Sequence, residues 1–171
     1  AFDAAKINAT RAALALISQV TNITFQEVVG VGQITFGRHD QPDTQGGYAY
    51  LPSYFGFGVD GSYNITSGAE ADPVAGDIWI NSSYTDADYA VGGMAFETLL
   101  HEIGHALGLK HPFEGMAGVS TLPAELDNTA FTLMSYTPPA NAGVADVTDL
   151  DQSYSWVEYD LPIRSLMPGD I

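Results

Sequence analysis

The window from Leu99 to Phe113, "LLHEIGHALGLKHPF", holds three of the chain's four histidines and one glutamate between aliphatic flanks. On a helix, His101 and His105 lie four residues apart, so both project from one face, one turn apart. Such a pair can hold one metal ion through imidazole nitrogens. Glu102 lies about 100° round the helix from His101. From there it can reach a metal-bound water without ligating the metal, as a general base does. A continued helix would carry His111 most of two turns beyond His105, too far to share the ion. Gly108 removes the obstacle, because glycine takes φ > 0 cheaply and lets a helix end in a sharp turn. His111 can then fold back as a third ligand. Three histidines leave a position open on zinc, which marks a catalytic rather than a structural site. The alternative is a helix with ordinary core histidines. It would bury three neutral imidazoles without partners, at a cost.

The 171 residues suit one domain, and a hydrophobic content of 46% is enough to bury a core. The longest apolar runs, such as "AALALI", are far too short to span a bilayer. Acidic residues number 21 against 5 basic ones, a net charge of -16. Nucleic acid is not an expected partner, since nothing neutralises its phosphates. An anionic membrane is repelled, whereas cationic ligands, divalent metals included, are favoured. The chain has no cysteine, which excludes a disulfide scaffold, a cysteine nucleophile and a zinc finger. Ala1-Phe2-Asp3 lacks the basic and apolar stretches of a signal peptide. The expectation is a mature form, an excised domain, or an export signal outside these residues.

Along the chain, residues 4–20 read as an amphipathic helix with Ile7, Leu14 and Ile17 on its apolar face. "NITFQEVV" (Asn22 to Val29) and "GQITFGRH" (Gly32 to His39) are rich in β-branched and aromatic residues and read as strands. His39 reads as a surface loop residue. After the turn "DQPDTQGG", "YAYLPSYFGFG" reads as a short strand entering a Gly/Pro/aromatic loop. "GDIWINSSY" (Gly76 to Tyr84) is a further strand. Met94 to Leu109 is the second helix, with Gly108 placed to stop it. Beyond His111 the periodicity fades into a loop-rich lobe. Asn-x-Ser/Thr sequons at Asn8, Asn22, Asn64 and Asn81 read as chance matches in a chain rich in Asn, Ser and Thr.

His101-Glu102-x-x-His105-x-x-Gly108-x-x-His111 resembles the extended zinc signature of the metzincin metalloproteases. Pro112 after the third histidine resembles the serralysin branch, and "TLMSY" (Thr132 to Tyr136) is similar to that family's Met-turn. The resemblance implies that Met134 forms an apolar floor beneath the zinc ligands. It also implies that Tyr136 is an additional, displaceable zinc ligand. "NITFQEV", "GGYAYLP", "GDIWIN" and "IRSLMPGDI" resemble serralysin segments too, so the likeness covers nearly the whole chain. The implied fold is α+β and zincin-like: a twisted, mixed five-stranded sheet, two long helices and a loop-rich C-terminal lobe, with the active-site cleft between. The expected organisation is a single catalytic domain, 1–171, with an upper lobe of about 1–110 and a lower lobe of about 111–171.

The implied activity is that of a secreted, extracellular zinc endopeptidase. One catalytic Zn²⁺ sits on His101, His105 and His111, Glu102 acts as base, and Tyr136 donates to the developing oxyanion. By the same resemblance "GDIWIN" is the edge strand along the cleft. Gly76, Asp77, Ile78 and Trp79 are then expected to pair with an extended protein or peptide substrate. Ca²⁺ suits the acidity, with no ligands to name. The chain departs from the family in two ways. The stretch between His111 and Met134 is shorter than in typical serralysins, and no glycine-rich calcium-binding repeat occurs in these residues. Two alternatives stay open. One is a matrixin-like metzincin without a tyrosine ligand, against which Pro112 and Tyr136 argue. The other is a catalytically silent binding or adhesion module of a larger secreted protein.

Overall fold

A computed structural model describes residues 2–55, 58–59, 65–67, 70–115, 119–139, 143–146, 155–158 and 166–170. Helix α1 (Ala4–Val20) starts where Asp3 supplies an N-cap oxygen to the Lys6 N–H, filling one of the open donors of the first turn. Its buried stripe is Lys6, Ala9, Thr10, Ala13 and Ile17, the i, i+3/i+4, i+7 spacing of one helix face. Ile7 and Leu14, expected at the centre of that face, are only half-buried. The small side chains of Ala9 and Ala13 form the fully buried stripe instead. Helix α2 (Met94–Ala106) packs against α1. Its buried residues lie almost all round the helix, so α2 is the central element and not a surface helix.

The strands are β1 (Thr35–His39), β2 (Gly47–Ala49), β3 (Tyr54–Phe55), β4 (Gly58–Val59), β5 (Ile65–Ser67), β6 (Glu70–Ala71), β7 (Asp77–Asn81), β8 (Gly143–Asp146) and β9 (Ser155–Glu158). The sheet that backs α2 has the order β1-β7-β2. β1 runs parallel to β7 with Thr35 opposite Asp77, and β2 runs antiparallel to it with Gly47 opposite Ile80. Ile78 and Ile80 are fully buried in the core, together with Phe96, Leu99, Leu100 and Ile103 of α2. The other pairs are two-stranded: β3 with β6, β4 with β5, and β8 with β9. The result is an α+β arrangement with two helices and a small mixed sheet.

Among the described residues the main sheet has three strands where five were expected. Residues 22–29 form no strand. β-branched side chains favour a strand only where a neighbour and a buried face receive them. Here Ile23, Val28 and Val29 are exposed, and an Arg11–Glu27 ion pair with two contacts of 2.9 Å ties the segment to α1. "GQITFGRH" enters the sheet only from Thr35. No helix among the described residues is long and apolar enough to cross a membrane.

Lys6 is 2% exposed. Its ammonium donates to Asp3 and to Asp86, and lies 5.2 Å above the Tyr89 ring. Asp86 and Tyr89 belong to the single 3-10 turn (Asp86–Tyr89) that precedes α2, so one cation joins the start of α1 to the approach to α2. The bond to Asp3, then that to Asp86, raises the Lys6 pKa, and Lys6 lowers that of Asp3. Lys6→Met should destabilise the protein by about 1 kcal/mol at neutral pH, because both half-exposed carboxylates rehydrate. A raised lysine value keeps its contribution below the unfolded lysine value. The depressed aspartate value withdraws its share as pH falls below about 4. Urea unfolding of both proteins should therefore show a gap that is constant from about pH 5 to 9 and narrower at pH 3.

Candidate metal centre

Helix α2 stops through its backbone. Gly108 has φ +101, its N–H bonds His105 O at 2.9 Å, and the Leu109 N–H bonds Gly104 O at 2.9 Å. This double bond pattern is the Schellman end, which favours glycine because L side chains resist positive φ. The chain reverses there and brings His111 back over the helix. His111 Nε2 lies 3.2 Å from His101 Nε2 and 3.1 Å from His105 Nε2.

The outer nitrogens decide what these rings can hold. His101 Nδ1 donates to Leu133 O at 2.9 Å, and His105 Nδ1 donates to Leu109 O at 2.8 Å. Carbonyl oxygens only accept, so both neutral rings carry their proton on Nδ1 and present a bare Nε2 lone pair. Burial pulls the His101 pKa down to about 4 and that of His105 below its ordinary value. Lone pairs facing one another repel, and a cation among them removes the repulsion. Carbonyl partners on the far nitrogens are also the usual companions of metal-binding histidines. The three residues therefore fit a metal ion held by nitrogen, with ligand atoms all within 4.8 Å of one another. Among the described residues no acidic group converges in this way.

Met134 is 2% exposed and lies against α2 at Gly104. A Cβ on Gly104 would stand 2.7 Å from Met134 Sδ, so this mid-helix glycine makes the contact possible. Gly104 was not singled out from the sequence. Its signal was available, because a glycine inside a helix costs about 1 kcal/mol against alanine and implies a close neighbour. Tyr136 follows on the same turn. Its hydroxyl is 2.6 Å from His111 Nε2 and its ring stacks on His101 at 5.5 Å. The residue is 66% exposed. Phe113, also unanticipated, stacks on the other ring, with centroids 5.0 Å from His111.

Glu102 is 5% exposed, and its Oε2 has no hydrogen-bond partner. Burial pushes its pKa up to about 8. It lines the same cleft as the histidines and Tyr136, a space of about 770 Å³. Gly46, Gly47, Tyr48 and Ala49 line it too. A Cβ on Gly47 would stand 3.2 Å from Glu102 Cγ, so β2 crosses directly over the glutamate.

This corrects the expectation for Gly76, Asp77, Ile78 and Trp79. The strand they enter, β7, is the central one, paired with β1 on one side and β2 on the other. Ile78 is fully buried in the core, and none of the four lines the cleft. A strand with both edges bonded has no free main-chain groups to offer a peptide. His39, at the end of β1, is exposed and contacts Tyr48 and Trp79, apart from the other three histidines.

No family model matches the chain. It is 34% identical over 137 residues to metalloprotease AprA of Pseudomonas entomophila (strain L48), covering 74% of this chain. It is 36% identical over 144 residues to metallopeptidase AprA of Pseudomonas marginalis, covering 77%. With serralysin A of Dickeya chrysanthemi the identity is 33% over 154 residues, covering 83%. The matches span 25%, 27% and 28% of those relatives' own lengths. The similarity thus runs through most of this chain and about a quarter of each relative, and over that stretch the chain belongs to the serralysin-like metalloproteases.

Proposed function

We propose that this chain is the catalytic region of a secreted zinc endopeptidase, organised as one domain whose two lobes meet at the histidine cleft. One observation carries the reading. Three imidazoles, two with their Nδ1 protons committed to carbonyls, aim Nε2 at a common point beside a buried carboxylate with an orphaned oxygen. His101, His105 and His111 would hold the ion, with the Tyr136 hydroxyl within reach of the same point. A bound zinc ion supplies Lewis acidity, which acidifies water from a pKa of ~16 toward ~7 and polarises a carbonyl.

The chain's own groups do the rest. Glu102 accepts a proton from the attacking water and returns it to the leaving amine. Its raised pKa suits this, since a base near neutrality both takes and releases a proton readily; a neighbouring cation draws the value down from about 8. Tyr136 moves away from His111 and donates its hydroxyl to the oxyanion, which its exposed position on the turn allows. The substrate lies extended along β2, the sheet edge among the described residues, and pairs through its main chain. Backbone pairing ignores side chains, so the sequence tolerance is broad. The match to proteins named metalloproteases and serralysins supports this reading.

Casein digestion should proceed with the purified protein and stop on chelation; no digestion at all would favour the silent binding module, and digestion that ignores chelator would contradict a metal-dependent mechanism. Glu102→Ala should keep its zinc and lose roughly 10²–10⁴-fold in rate. Tyr136→Phe should lower kcat by about 10²-fold with zinc content unchanged; an unaltered kcat removes the oxyanion role.

A pH test follows from Glu102. Its folded value is raised above its ordinary 4.5 to about 8, so the folded state holds the extra proton between those limits. Stability from this group therefore falls as pH rises through that window. In chelator-stripped protein, Glu102→Gln should gain over wild type from pH 5 to pH 8, by on the order of a few kcal/mol. A gap in urea unfolding that does not change with pH would contradict the burial of this carboxylate.

A further inference from the structure

The orientation of His101 rests on one carbonyl, that of Leu133. Leu133 is almost fully buried, and its own N–H is held by a residue far along the chain. Asp170 Oδ2 accepts from the Leu133 N–H at 2.9 Å and from the Met167 N–H at 2.9 Å. Its Oδ1 accepts the Thr132 hydroxyl proton. That hydroxyl oxygen in turn accepts the Met134 N–H at 3.1 Å. The neighbouring Gly169 N–H bonds Phe131 O at 2.7 Å. One carboxylate thus collects three donors and, with the Gly169 N–H and the Thr132 hydroxyl, fixes the backbone from residue 131 to 134 from one side. The two peptide groups flanking Leu133 are the last links: one gives its N–H to Asp170, the next gives its carbonyl to His101.

We propose that Asp170 is a positioning residue for the metal centre. Through the Leu133 backbone it holds His101 with its proton on Nδ1 and its Nε2 lone pair aimed at the other two histidines. This rests on the metal-centre reading above. Charge-assisted bonds are shorter and roughly twice as strong as neutral ones, so the carboxylate suits this task better than an amide. Asn at 170 keeps one acceptor oxygen for the Leu133 and Met167 N–H groups, but its NH₂ meets the Thr132 hydroxyl as a donor, which reverses that hydroxyl and leaves neutral bonds where charge-assisted ones stood. The hold on the Leu133 peptide groups is then weaker, and with it the direction of the carbonyl that selects the His101 tautomer. Groups that orient metal-binding histidines in this way are worth 10–100-fold in metal affinity.

The test uses Asp170→Asn, Thr132→Val and Thr132→Ser in the purified protein. Three quantities are read: zinc affinity by competition with a chromophoric chelator, the visible spectrum of the Co²⁺-loaded protein, and urea stability after chelation. Asp170→Asn and Thr132→Val should each weaken zinc 10–100-fold and shift the Co²⁺ bands, while Thr132→Ser, which keeps the hydroxyl, stays near wild type. If Asp170→Asn does not fold, the Thr132 pair decides. Lower stability with unchanged zinc affinity and an unchanged Co²⁺ spectrum would reduce Asp170 to a structural staple and overturn the proposal. Failure of wild type itself to bind zinc would instead overturn the metal-centre reading, and this proposal with it.

Discussion

Gly108 holds φ +101 at the end of α2, and the arrangement of the cleft follows from that one residue. Two histidines one turn apart define a line along a helix, not a point. The left-handed residue turns the chain so that a third imidazole meets the first two from above. It also leaves the carbonyl of Leu109 facing His105, so the residue just past the helix stop selects the tautomer of the second histidine. A side chain at 108 would resist that conformation. The ring nitrogens would then no longer meet, and the buried imidazole of His101 would become an uncompensated cost.

Burial acts on the cleft's ionisable groups in opposite senses, and the two senses have one remedy. Desolvation disfavours charge, so it lowers the pKa of His101 and His105 and raises that of Glu102. The first effect keeps the lone pairs of His101 and His105 free at neutral pH. The second leaves a carboxylic acid poised near neutrality with one unpaired oxygen. A divalent cation suits both, since it binds the lone pairs and favours the charged carboxylate. Such a cluster also suits the strongly acidic chain, whose net charge of -16 draws cations toward it.

Features set by neighbours a few residues apart were legible in the sequence. The start and end of α1, the glycine stop of α2 and the spacing of its histidines are all local, and local patterns report them well. Long-range pairing was not legible. "NITFQEVV" has the composition of a strand but finds no partner among the described residues. Asp170 sits 38 residues from the threonine it anchors, and nothing within its own segment signals that partner. Gly104 falls between these cases: its cost to the helix was visible, but not the methionine that explains it.

The exchange of roles between β7 and β2 shows the same limit and changes the expected chemistry. "DIWIN" alternates apolar and polar residues, as a half-buried strand does, and alternation identifies a face without identifying an edge. An edge is defined by what fails to pair, and that depends on the register of segments distant in sequence. β7 accepts a parallel partner on one side and an antiparallel one on the other, which among the described residues leaves β2 as the sheet edge on the cleft side. β2 is short and begins with glycine, so its backbone lies against Glu102 with no side chain between. A peptide pairing with that rim would have its own backbone held close to the glutamate and the histidines. A peptide pairing at β7 could not reach them, because β2 stands in the way. The sheet order thus determines which carbonyls of a bound chain come near Glu102.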